Sequence, residues 1–119
     1  MPEEPQTDRL ADLFDDANGC LALGELDKAV VLYRRCVEMD PEFFDGWHAL
    51  GMALLKTDAV KEAIGCGLKA VTLRPNDLLA WTSLSQMHVR AGNIPEAEAA
   101  KGNARILSLG GKVVRDQDA

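Results

Sequence analysis

Clusters of positive charge are missing from this sequence. Its 119 residues include 13 lysines and arginines against 19 aspartates and glutamates, a net charge of -6. Phosphate backbones and anionic lipid surfaces attract clustered basic side chains, so this balance argues against nucleic acid and a membrane as partners. The negative charge is concentrated in residues 1–60, with 13 acids and 5 bases, whereas residues 61–119 have 6 acids and 8 bases.

Long apolar runs and paired cysteines are missing as well. No stretch reaches the roughly 18 apolar residues that a membrane-spanning helix needs. The first eight residues, MPEEPQTD, contain acids and no base, the opposite of a secretory signal. Three cysteines, at positions 20, 36 and 66, cannot all pair within one chain. These features predict a protein of the reducing cytoplasm.

No pattern typical of catalysis, of a cofactor or of a metal site is present. The sequence has no nucleophile elbow, phosphate-binding loop or metal motif. Its two histidines, His48 and His88, are 40 residues apart and have no carboxylate or cysteine at ligand spacing. We therefore expect no enzymatic activity, no cofactor and no metal.

What the sequence does contain is a period of 34 residues. Three copies begin near positions 10, 44 and 78, and none of them alternates with period two as a strand would. The matching residues are Pro41 and Pro75; Trp47 and Trp81; Leu50 and Leu84; Ala29, Ala63 and Ala97; Leu26, Val60 and Ile94; Ala17, Gly51 and Ser85; Gly24, Asp58 and Gly92.

Each copy is predicted to form two helices, because its apolar residues recur at helical spacing and turn-forming residues separate them. Residues 56–58 and 74–77 are expected to end one helix and cap the next. Gly92 should end a helix, and Asn93 with Glu96 resembles a capping box with Pro95 in the first turn. Small residues in two columns predict a close approach of the paired helices.

The motif Trp47-x-x-Leu50-Gly51, followed by Ala63 and Pro75, resembles the tetratricopeptide repeat family. The resemblance implies an all-α fold, a right-handed superhelical solenoid of three helix hairpins. It implies repeats at 10–43, 44–77 and 78–109, with an N-terminal extension at 1–9 and a short tail at 110–119. The sequence departs from the family at the position that holds an aromatic residue after the central alanine. Only the first copy keeps an aromatic there, Tyr33, whereas the second and third copies have Gly67 and Lys101.

The resemblance also implies a concave groove lined by the first helix of each pair, which binds a peptide or a partner helix. An alternative is that part of this stripe packs against the next repeat. The predicted groove residues are Phe14, Asn18, Leu21, Asp45, His48, Met52, Leu55, Leu79, Thr82, Gln86, Val89 and Arg90.

Some family members clamp a C-terminal carboxylate with lysine, arginine and asparagine side chains on these helices. The positions that match this clamp hold Phe14, Asn18, Ala49, Leu79 and Ser83, so only the asparagine is kept. We therefore expect a partly apolar segment as the partner rather than the acidic tail of a chaperone.

The remaining histidine and cysteine positions have competing interpretations. His88 is expected in the core, whereas His48 either contacts a ligand or is solvated. Cys20 and Cys36 are expected as small core residues. Cys66, between two glycines, is either a core residue at a close helix contact or a reactive thiol.

These features predict a protein-binding module or scaffold. Two alternatives are a small acidic secretion or assembly chaperone that holds one client, and a self-assembling structural protein. The last predicted helix also suggests a homodimer through the third hairpin, with a monomer as the alternative. The residues expected at that interface are Ala97, Ala99, Ala100, Ala104, Ile106 and Leu107.

Overall fold

The computed structural model describes residues 6–114, and within them it contains six α-helices and no strand. Consecutive helices pair into three hairpins, as the sequence predicts. The helices are α1 (Gln6–Ala22), α2 (Leu26–Met39), α3 (Phe44–Lys56), α4 (Val60–Leu73), α5 (Leu78–Ala91) and α6 (Ile94–Ser108).

The helix starts at Phe44 and Leu78 coincide with the predicted starts of the second and third copies. α1 begins at Gln6, four residues before the predicted start of the first copy. Most of the predicted extension at 1–9 and half of the predicted tail at 110–119 lie outside the described residues. The division of the chain into these segments remains a prediction.

The turn inside each hairpin uses a residue with left-handed backbone. Gly24 has φ +78° and Gly92 has φ +79°, and Gly92 ends α5 as predicted. Asp58 occupies the same place in the second hairpin with φ +64°. Glycine adopts this conformation without a steric penalty and aspartate tolerates it, so all three turns close in the same way.

The predicted helix caps are confirmed at one position and wrong at two. Asp77 caps α5, because its Oδ1 accepts a hydrogen bond from the Ala80 amide at 2.9 Å. Asn93 makes no side-chain cap on α6; its Nδ2 lies 3.2 Å from His88 Nδ1 instead. Asp58 also fails to cap α4, since its carboxylate pairs with Arg90.

The small-residue columns bring the paired helices close together, as predicted. Ala29 and Ala63 are completely buried. A Cβ atom built on Gly51 would lie 3.4 Å from the Ala63 carbonyl oxygen across the second hairpin. In the third hairpin, Ser85 Oγ donates a hydrogen bond to the Ala97 carbonyl at 2.9 Å.

Both tryptophans of the repeat join a helix to the turn before it. Trp47 Nε1 donates to the Pro41 carbonyl and Trp81 Nε1 donates to the Pro75 carbonyl, each at 2.7 Å. Each indole ring is half-buried. The tryptophan and proline columns of the sequence therefore act together, because the ring packs while its N–H satisfies a turn carbonyl.

The missing aromatic of the second copy is replaced by a side chain from the third. Met87 of α5 is completely buried, and its sulfur would lie 2.8 Å from a Cβ atom built on Gly67. One period earlier the sizes are reversed, with Tyr33 in place of Gly67 and Ala53 in place of Met87, and both are completely buried. Each junction between repeats thus has one large and one small residue at this pair of positions.

Half of the surface that we expected on α6 for a partner is buried. Ala97, Ala100 and Ala104 are buried within the third hairpin. The exposed side chains of α6 include Ile94, Ala99 and Ile106, and Leu107 is half-buried. The expectation was wrong for these three alanines, because close packing of α5 against α6 requires small residues there.

Candidate binding groove

The twelve predicted groove residues lie on α1, α3 and α5, and the structure divides them by exposure. Leu55 alone is buried, and it belongs to the core. Five are half-buried: Phe14, Leu21, His48, Met52 and Thr82. Six are exposed: Asn18, Asp45, Leu79, Gln86, Val89 and Arg90.

One face of α5 carries the most accessible part of this set. Leu79 is 60% exposed and Val89 is 56% exposed, with Thr82 and Gln86 between them at helical spacing. At 1.5 Å of rise per residue, the two apolar side chains are about 15 Å apart along the helix. The face therefore offers two apolar contacts separated by a polar stretch.

Around Val89 the structure brings four predicted residues together. Leu55, Gln86, Val89 and Arg90 line one open groove. Arg90 also forms an ion pair with Asp58, which compensates its charge at the rim. Because such exposed pairs contribute at most about 1 kcal/mol, the guanidinium remains accessible to a ligand.

The same groove contains residues of α6 that were not predicted from the sequence. Glu98 and Lys101 line it beside Gln86. The family resemblance assigns groove residues only to the first helix of each pair, and these two are on a second helix. One feature of the sequence indicated that α6 contributes to the groove: Lys101 is polar, whereas the matching position of the first copy holds an aromatic residue.

On the α1 side, the predicted groove residues are fixed by packing. The Phe14 ring centroid lies 5.8 Å from that of Tyr33 and 5.0 Å from that of Phe43. The Tyr33 hydroxyl donates a hydrogen bond to Asn18 Oδ1 at 2.6 Å. Part of the predicted stripe thus packs within the first copy, and not against the next repeat as the alternative interpretation had it.

His48 links two of the groove helices. Its Nε2 lies 3.0 Å from Ser83 Oγ, and its ring stacks on Phe44 with centroids 6.0 Å apart. Ser83 is buried on α5, so the contact joins α3 to α5. His48 is therefore not simply solvated, and its contact with a ligand remains a prediction.

The stability of the protein should fall when His48 is protonated. Burial lowers the pKa of His48 below its ordinary 6.5, although Asp77 and Asp45 act to raise it. Because the folded pKa is depressed, the neutral form is favoured in the fold, and stability should decline as the pH drops below 6.5. Urea unfolding at pH 7.0 and 5.0 measures this loss. The His48→Gln variant should lose less stability over this interval, and an equal loss in both proteins would contradict the assignment.

The cysteines are free thiols in packed surroundings. Cys36 is buried and Cys20 is half-buried. Burial raises the pKa of the Cys66 thiol to about 11. At neutral pH this group is a thiol rather than the reactive thiolate, which favours the core interpretation of Cys66. His88 is buried and pairs with Asn93, as expected of a core histidine.

Within residues 6–114 no group of three or more potential metal ligands comes together. Among the helices of the same range, none has the length and apolar character that a membrane span requires.

Comparisons with known proteins agree with this architecture. Residues 20–43 match the family model for the tetratricopeptide repeat. The chain is 30% identical over 95 residues to tetratricopeptide repeat-containing protein trd-1 of Caenorhabditis elegans. That match covers 72% of the chain but spans only 12% of the relative.

Two solved structures share the fold. A structure of the CopN–Scc3 complex superposes with a TM-score of 0.82 at 16% identity, covering 92% of this chain and 64% of the other. The second tetratricopeptide repeat domain of Spaghetti (RPAP3), bound to the HSP90 peptide SRMEEVD, superposes with a TM-score of 0.79 at 21% identity. That comparison covers 86% of this chain and 96% of the other.

Proposed function

This chain is a tetratricopeptide repeat protein, and from that premise we propose that its groove binds a segment of another protein. The observation that carries the proposal is the face of α5, where Leu79 and Val89 are more than half exposed. Accessible apolar side chains spaced along one helix face of a groove can each anchor a residue of a partner segment.

The groove chemistry indicates the class of segment. The accessible polar residues include the uncharged Asn18 and Gln86, and the charge of Arg90 is compensated by Asp58. A segment with two apolar residues would reach Leu79 and Val89 together. To span about 15 Å, the two apolar residues of the partner would be about ten positions apart in a helical segment, or four to five positions apart in an extended one.

We propose a binding module rather than an enzyme, located in the cytoplasm and bound neither to nucleic acid nor to a membrane. The acidic balance of the sequence and its three free thiols support this assignment. A dedicated chaperone would use the same groove for one client, and a client that co-purifies in a fixed ratio would favour that role.

A homodimer through the third hairpin remains a second proposal. It depends on Ile94, Ile106 and Leu109, which are 54%, 45% and 77% exposed. Light scattering at several protein concentrations separates the two roles. A mass that rises with concentration would favour self-association, and a constant monomer mass would leave only partner binding.

Charge placed on the α5 face should abolish most of the binding. A pull-down with the protein as bait, followed by mass spectrometry, identifies the captured segment, which is then made as a peptide. In calorimetric titrations, Leu79→Asp and Val89→Asp should each weaken the affinity by about 10-fold or more, because each buries a carboxylate in an apolar contact.

The matched control is Leu23→Asp in the turn after α1, where the side chain is 77% exposed. This variant adds the same charge away from the proposed site and should bind normally. Equal weakening by all three variants would contradict the groove. The acidic peptide SRMEEVD is a second control, and we expect it not to bind, since four of the five matching clamp positions hold other residues.

A further inference from the structure

After α6 the chain turns back toward the body of the protein. Gly110 has φ +89°, and the Gly111 amide donates a hydrogen bond to the Ile106 carbonyl at 2.9 Å. A Cβ atom on Gly111 would lie 2.8 Å from Ile106 Cγ2 and 3.1 Å from the Ile106 carbonyl oxygen. Glycine at 111 therefore permits a reversal that a side chain would obstruct.

The returning segment is held by one side chain, Asn76, in the turn between α4 and α5. Asn76 Oδ1 accepts hydrogen bonds from the amides of Val113 and Val114, both at 2.9 Å. Asn76 Nδ2 donates to the Val114 carbonyl at 2.7 Å. Three hydrogen bonds thus join the turn to a segment 37 and 38 residues later in the sequence.

We propose that Asn76 is a docking site for a bend of main chain, and that its occupant is the segment Val113–Val114 of this protein. The recognition uses only backbone groups of the segment, because an amide side chain offers both an acceptor and a donor. The position one period earlier is Glu42, whose carboxylate can accept but not donate. The site is therefore specific to the second turn between repeats.

The docked segment fastens the third hairpin to the second. Within the described residues, α5 and α6 pack against a neighbouring repeat on one side only. A repeat with a single neighbour lacks the stabilisation that a second neighbour gives. The segment supplies an additional connection from the end of α6 to the start of α5, formed by main chain rather than by another helix.

Hydrogen exchange of the Val113 and Val114 amides tests the proposal in the full chain. We expect both amides to exchange about 10-fold or more slowly than unstructured peptide amides, because each donates to Asn76. The Asn76→Ala variant should return both rates to the unstructured value. The variant should fold normally, since Asn76 is exposed and the cap of α5 comes from Asp77.

Two further variants make the result specific. Glu42→Ala changes the equivalent turn and should leave the exchange of both valine amides unchanged. Gly111→Ala should accelerate their exchange by obstructing the reversal, with Asn76 intact. Unstructured exchange rates in the unaltered protein, or unchanged protection in Asn76→Ala, would overturn the proposal.

Discussion

Replacing Met87 by alanine should lower the free energy of unfolding by about 2–4 kcal/mol, because it leaves a cavity between two repeats. The side chain is completely buried, and it reaches the space left open by Gly51 and Gly67. Met52 on α3 is half-buried and provides the matched control. Met52→Ala should cost clearly less in the same urea titration.

The same junction allows a double-mutant test. Gly67→Tyr alone should also destabilise the protein, since even its Cβ atom would lie 2.8 Å from the Met87 sulfur. The double variant Gly67→Tyr/Met87→Ala reproduces the sizes found at the first junction, Tyr33 and Ala53. It should be more stable than the sum of the two single changes predicts, by about 1–3 kcal/mol. Strict additivity would mean that the two positions do not share one space.

Replacing either tryptophan by alanine should lower the free energy of unfolding by about 2–4 kcal/mol. Trp47→Ala and Trp81→Ala each remove a half-buried ring and leave a proline carbonyl without its indole donor. Phenylalanine at the same positions keeps most of the ring area and should cost about 1 kcal/mol, mainly the hydrogen bond.

Leu13 is the control for this column, because it precedes Trp47 by one period and is also half-buried. It has no indole donor, so Leu13→Ala should cost less than either tryptophan change. Losses below about 1 kcal/mol for both tryptophans in urea unfolding would contradict their place in the packing.

Much of the fold could be predicted because it repeats. The 34-residue spacing alone predicts three hairpins and the starts of α3 and α5, and the helices begin at those residues. Turn chemistry was predictable where one residue decides it, as with Gly92 or the Asp77 cap. In these cases the residue type at a given position determines the helix start or the turn, so the sequence pattern is sufficient to predict it.

The pairing of polar side chains was not predictable in the same way. The sequence predicted Asn18 as a groove residue and His48 as either a ligand contact or a solvated side chain, and in the structure they pair with Tyr33 and Ser83 on other helices. Asn93 had the pattern of a cap but approaches His88 instead. Each outcome depends on which side chain the packing of helices and turns brings nearby, and no periodicity in the sequence encodes that.

The segment after α6 was unpredictable for a related reason. Asn76 looked like an ordinary turn residue, and nothing near it in sequence indicated its three hydrogen bonds to Val113 and Val114. The third copy of the repeat ends before Val113 and Val114. These two residues therefore have no counterpart in an earlier copy from which a contact could be predicted.

Amide-resolved NMR shows whether a partner segment binds along the face of α5. The isotope-labelled protein is titrated with the peptide recovered from the pull-down. We predict that the largest shift changes occur at Leu79, Gln86 and Val89. Changes confined to the exposed residues Val31 and Leu68 on the second helices, with α5 unaffected, would contradict the account.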